Sequence, residues 1–191
     1  MLQTYSIGKC YLESGWSIHP LSGSLLKLNC KDIDSFQSNE LPQLVISALE
    51  KIQDPYKLEP PSTKNIVVEK KNLAAIKNYF LFFSKIKKIN FQLSLLASGL
   101  FSRRKIDTSR NIFEAINSFD TNMKFNTCLV KCLTVAKCSN SFKKNGVIFI
   151  GAHLPLKDMH AWIIEGNHQP DNEDRQWINY VPLMAITYQK P

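Results

Sequence analysis

The sequence has no run of eighteen consecutive apolar residues, which is about the length that indicates a membrane-spanning helix. The nearest candidate, residues 79–101, is interrupted by Lys85, Lys87 and Lys88. The first residues, MLQTYSIGKCYLE, lack the charged and then apolar layout of a secretory signal. We therefore expect no membrane span and a cytoplasmic location, where the five cysteines would stay reduced.

Sequence motifs for nucleic-acid and nucleotide binding are also missing. There is no aromatic–glycine RNA-binding run, no zinc-finger spacing and no GxxxxGK[ST] phosphate loop. The net charge of +8 comes mainly from residues 71–125, which carry ten Lys or Arg against three Asp or Glu. This basic excess fits either a surface for an acidic partner or the solvated faces of helices. Without a motif, we expect no nucleic-acid partner.

The amino-terminal third predicts short strands followed by one helix. The segments SIH and SLLKL lie on either side of a Pro–Gly turn and predict a hairpin within residues 5–29. Apolar residues from Leu41 to Ile52 recur at helical spacing and predict a helix over 40–52. The proline-rich segment DPYKLEPPSTKN follows and predicts a linker.

The remainder predicts a helix-rich segment and then a sheet. Residues 71–102 and 109–119 carry apolar residues at helical spacing, and CLVKCLTVAKCS predicts a helix of about twelve residues. The segments GVIFIGA, MHAWIIE and QWINYVPL predict three strands. A helix followed by an antiparallel sheet makes the fold class α+β.

Cys128 and His160 together favour thiol chemistry. Cys128 follows Asn126 and Thr127, both good N-cap residues, so it is expected in the first turn of a helix. The helix amino terminus favours a thiolate, which is the nucleophilic form of cysteine. His160, within the second predicted strand, would accept the thiol proton and return one to the leaving amine. Taken singly, each residue is more typical of packing than of catalysis.

A zinc site is the main alternative for these residue types. Cys128 and Cys132 share one face of the predicted helix, and His153, His160 and His168 lie downstream. Structural zinc usually takes a CxxC knuckle, which is absent, so we expect no metal.

Three blocks in this order, the CLVKCL helix start, VIFIGAHLPLKDMHAWIIE and QWINYVPL, resemble the transglutaminase-like B proteins of lasso-peptide (microcin) biosynthesis. The resemblance covers residues 125–183. It implies a papain/transglutaminase-like domain over residues 71–191, after a linker at 56–70 and a winged-helix-like leader-recognition domain at 1–55. By this resemblance, Cys128 is the nucleophile and His160 the base.

The resemblance also implies the activity and the partners. Such a cysteine peptidase removes the leader from a ribosomally made precursor peptide and frees an amine for a partner cyclase similar to asparagine synthetase. No cofactor is expected on this chain, and any ATP dependence would belong to the cyclase. We expect the leader to pair as an added strand near residues 24–29, which include Leu25, Leu26, Lys27 and Leu28. A purely structural lid is the alternative for residues 1–52.

The third catalytic residue is where the sequence departs from the family. Members commonly end the last strand with Asn-Asp, whereas this chain has Asn179 and Tyr180. We expect Asn179 to orient His160 and, by strand alternation, Tyr180 to face the other side of the sheet. Asp171 or Asp174 in the preceding loop are the alternatives. The departure also keeps open a non-catalytic peptide-binding protein, and the same Cys–His pair keeps open a transglutaminase-like acyltransferase.

Overall fold

A computed structural model describes ten segments of the chain: residues 2–7, 16–18, 25–27, 41–54, 58–59, 68–87, 106–120, 128–153, 158–170 and 176–188. The strands are β1 (Leu2–Ser6), β2 (Trp16–Ile18), β3 (Leu25–Lys27), β4 (Gly146–His153), β5 (Asp158–Glu165) and β6 (Val181–Tyr188). The helices are α1 (Gln43–Gln53), α2 (Lys70–Lys87), α3 (Ser109–Asp120), α4 (Cys128–Cys138) and α5 (Phe142–Asn145). No helix among these segments is long and apolar enough to cross a bilayer.

The main sheet has four antiparallel strands in the order β1-β6-β4-β5. The expected hairpin is confirmed, because β2 pairs antiparallel with β3 in a separate two-stranded sheet. The α+β class is likewise confirmed. The position of β1 was not predicted: its five residues pair with Met184 to Tyr188, at the far end of the chain.

Helices pack on both faces of the main sheet. The face that we call the first carries α2, α3 and α4, and its core includes Phe80, Ile116, Leu133, Ile148 and Ile163. The second face is covered by α1, and its core includes Val45, Leu49, Phe149, Trp162 and Ile164. Strand alternation explains this division, since neighbouring residues of a strand project from opposite faces.

Segments on both sides of the predicted linker at residues 56–70 contribute to the main sheet and to the second-face core. On its amino-terminal side, β1 is a strand of the main sheet, and Ile7 and α1 belong to the second-face core. The Lys51 Nζ atom of α1 also donates a hydrogen bond of 2.7 Å to the carbonyl oxygen of Gly166, just after β5. Residues on both sides of the linker therefore share one core.

The last predicted strand is shifted along the chain. QWIN, at residues 176–179, forms a 3-10 helix, and β6 starts only at Val181. From Leu183 to Tyr188 the strand is buried, as expected for a central strand with both faces covered. Pro182 lies before the part of β6 that pairs with β1, so its missing N–H leaves that pairing intact.

Candidate active site

Cys128 is the first residue of α4. It is half-buried, whereas Cys132 and Cys138, the other cysteines in the described segments, are buried. Its predicted N-cap residues, 126 and 127, lie outside the described segments. A thiol in the first turn of a helix lies near unpaired backbone N–H groups, which favour its ionised form. Cys128 is therefore the described thiol best suited to react.

α4, which begins at Cys128, packs against β5, the strand that carries His160. At the other end of α4, the Tyr188 hydroxyl donates to the Ala136 carbonyl at 3.4 Å. Cys128 at one end of α4 and Ala136 near the other both pack with the first-face core.

His160 belongs to a row of five stacked or tilted rings on the second face, which we call the ring row. The imidazole of His160 lies near parallel to the Trp162 ring, with centroids 6.1 Å apart and planes at 11°. Its centroid is 5.2 Å from that of Tyr180, which lies 6.1 Å from that of His153. Trp162 in turn stacks on Phe149 at 5.8 Å. The imidazole thus lies against aromatic rings from β5 and from the residue just before β6.

Cys128 and His160 are associated with different faces of the sheet. Cys128 and Met159 both pack against the first-face core. His160, the next residue along β5, stacks on Trp162 of the second-face core. Because β5 is the edge strand of the described sheet, the two faces meet along its outer side. A contact between the thiol and the imidazole would be made around that edge.

The ring that lies beside the His160 imidazole belongs to Tyr180, the residue after Asn179. The expectation that Tyr180 faces away from His160 is wrong, because the chain leaves the 3-10 helix there and is not yet in a strand. Asn179 is exposed at the end of that helix. The Tyr180 hydroxyl donates to Asp158 Oδ2 at 2.8 Å. Sequence spacing could have identified Asp158 as a neighbour of His160. Residues two apart on a strand project from the same face, and Asp158 lies two residues before His160.

Several predicted site residues are not placed beside His160. Asp171 and Asp174 lie in residues 171–175, outside the described segments. Leu25, Leu26 and Lys27 form β3, while Leu28 lies outside the described segments. Within the described part of the chain, no group of three or more His, Cys, Asp or Glu side chains could hold a metal ion.

A separate cleft of about 560 Å³ opens at the opposite end of the main sheet. Its walls carry Arg110, whose buried Nη1 has no hydrogen-bond partner, and the contact between His168 Nδ1 and Glu59 Oε2 at 3.4 Å. Neither Cys128 nor His160 lines it. The thiol and imidazole therefore lie outside this cleft.

A comparison of the chain with protein-family models, with curated proteins and with solved structures finds no match.

Proposed function

We propose that the chain is a cysteine peptidase that removes the leader of a lasso-type precursor peptide. The observation that carries the proposal is a half-buried cysteine in the first turn of α4, a helix that packs against β5, the strand that carries His160. A thiol hydrolase needs this combination of a helix-end thiol and a base held on a rigid strand.

In the proposed reaction, His160 takes the thiol proton and the Cys128 thiolate attacks the scissile carbonyl of the precursor. The imidazolium then protonates the leaving amine, which is the new amino terminus of the core peptide. Water, deprotonated by His160, hydrolyses the thioester and releases the leader with a free carboxylate. A partner cyclase similar to asparagine synthetase would use the freed amine, and any ATP would be consumed there. Asn179 is the orienting residue that the sequence proposes.

The leader would bind before it is cut. We propose that it pairs as an added strand on β3, with Leu25, Leu26 and Lys27 as the contacting residues. The described backbone of β3 pairs with β2, and strand addition uses the main-chain groups on the other side. Binding should therefore depend on the backbone of the leader as well as on its side chains.

The catalytic test is cleavage of a lasso-type precursor peptide, followed by mass spectrometry of the products. Cys128→Ala and His160→Ala should each abolish leader removal, whereas Cys132→Ala, one turn further along α4, should retain it. A free leader carboxylate indicates hydrolysis, and a leader–amine adduct indicates acyl transfer. Wild-type cleavage by Cys128→Ala would show that the peptidase assignment is wrong.

A non-catalytic precursor-binding protein is the second candidate. It is favoured by the association of Cys128 and His160 with different faces of β5 and by a cleft that contains neither. This function predicts that the wild-type protein and Cys128→Ala bind the precursor equally and that neither changes its mass. Product formation by the wild-type protein excludes it.

A further inference from the structure

Tyr180 lies between the two histidine rings of the ring row, near the start of β5. Its ring centroid is 5.2 Å from that of His160 and 6.1 Å from that of His153, so it has an imidazole on two sides. Its hydroxyl donates to Asp158 Oδ2 at 2.8 Å. Tyr180 is half-buried and also packs against the second-face core.

These contacts restrain Tyr180 at both ends of its side chain. The ring is restrained by core packing, and the hydroxyl by a carboxylate on β5 itself, two residues from His160. This hydrogen bond to a carboxylate is solvent-exposed, so we expect it to add a modest restraint to the one that core packing places on the ring. A fixed aromatic ring next to His160 limits the orientations that its imidazole can take.

The geometry of the two rings also suits a cation–π contact. An aromatic face attracts a cation whose centre lies within about 6 Å of the ring centroid. The distance from His160 to Tyr180 is within that limit. The carboxylate of Asp158, bound to the Tyr180 hydroxyl, adds negative charge on the same side. Among the described residues, His153 also faces Tyr180.

We propose that Tyr180, held by Asp158, is the positioning residue for His160 and favours its imidazolium form. This inference rests on the proposed peptidase function, in which the imidazolium accompanies the Cys128 thiolate. It assigns to Tyr180 and Asp158 the role that the sequence gives to Asn179. Tyr180 does not touch the substrate in this scheme and is not a catalytic residue.

The test follows the ring resonances of His160 by NMR as the pH of the full-length protein is changed. Removing the ring in Tyr180→Leu should lower the titration midpoint of His160 by roughly half a pH unit. Tyr180→Phe and Asp158→Asn keep the ring and should produce smaller shifts. Asn179→Ala tests the alternative orienting residue, and Ile178→Ala, exposed on the same 3-10 helix, is the matched control that should leave the midpoint unchanged.

Cleavage kinetics provide the second readout. Tyr180→Leu should lower kcat by roughly tenfold with little change in KM, because the substrate-binding groups are intact. Tyr180→Phe should restore most of that loss. Thermal melting of each variant verifies that it is folded.

The two readouts separate this inference from the proposed function. If the wild-type protein cleaves no precursor but Tyr180→Leu shifts the His160 midpoint, the positioning role holds and the peptidase assignment fails. If the wild-type protein cleaves and folded Tyr180→Leu matches it in both midpoint and kcat, the positioning role is overturned. A shift with Asn179→Ala and none with Tyr180→Leu would return the role to Asn179.

Discussion

Replacement of Gly151 by alanine perturbs the place where the sheet and the ring row meet. Gly151 lies in β4 opposite His160 of β5 and Pro182 of β6. A Cβ atom at this position would lie 2.6 Å from the Val181 carbonyl oxygen and 2.7 Å from Cη2 of Trp162. Neither neighbour can give way easily, because the first is backbone and the second belongs to a fully buried side chain.

The expected cost follows from overpacking of a close-packed core. Extra carbon atoms at such positions typically destabilise by about 1–3 kcal/mol. For a chain of this length each kcal/mol lowers Tm by about 2–4 °C, so Gly151→Ala should melt roughly 2–12 °C below the wild-type protein. Any shift of the Trp162 ring also moves the surface on which His160 stacks, so cleavage should fall together with stability.

Thermal unfolding of four proteins tests this reasoning: the wild-type protein, Gly151→Ala, Trp162→Phe and the double variant. Phenylalanine lacks the outer ring atoms that the new Cβ would meet, so the double variant should be more stable than the sum of the single effects predicts. A coupling of about 0.5 kcal/mol or more is expected for residues in contact. The reasoning is refuted if Gly151→Ala has the same Tm as the wild-type protein, or if the two single effects are additive. Trp162 then does not contact Gly151, and the ring positions described for the ring row are wrong.

Two further substitutions, one of them with a matched control, test the packing of the helices. Ser139 is buried and its Oγ accepts hydrogen bonds from two backbone N–H groups, so Ser139→Ala should lower the unfolding free energy by about 1–3 kcal/mol. The exposed Ser118→Ala should lower it by less than about 0.5 kcal/mol in the same chemical denaturation experiment. Lys51→Met removes the hydrogen bond to Gly166 and should cost about 0.5–1.5 kcal/mol in one cooperative transition. A second, separate transition would instead indicate an independent amino-terminal domain.

Local patterns predicted most of the elements of the described chain. The apolar spacing from Leu41 to Ile52 predicted a helix at 40–52, and α1 spans Gln43–Gln53. The helix predicted at 109–119 spans Ser109–Asp120. These helices could be predicted because the evidence for them is the spacing of apolar residues along the sequence, which does not depend on the rest of the fold.

Contacts between distant segments could not be predicted in this way. The pairing of Leu2 with Tyr188 joins opposite ends of the sequence, and no local period encodes it. The place of Tyr180 was missed for a related reason. Alternation along QWINYVPL assumes one continuous strand, but the 3-10 helix at 176–179 changes the direction of the side chains that follow. Alternation along β5 itself predicts that Met159 and His160, as consecutive residues of one strand, face different cores.

The most direct test of the central claim is whether the reactivity of Cys128 depends on His160. The full-length protein and its His160→Ala variant would be treated with iodoacetamide at pH 7, and the alkylation of each cysteine followed by peptide mass spectrometry. An unassisted thiol is only about 3% ionised at this pH, so loss of an imidazolium partner should slow Cys128 by at least about fivefold. Cys132→Ala should leave the rate unchanged. Equal rates for Cys128 in the wild-type protein and in His160→Ala would contradict a thiolate–imidazolium pair.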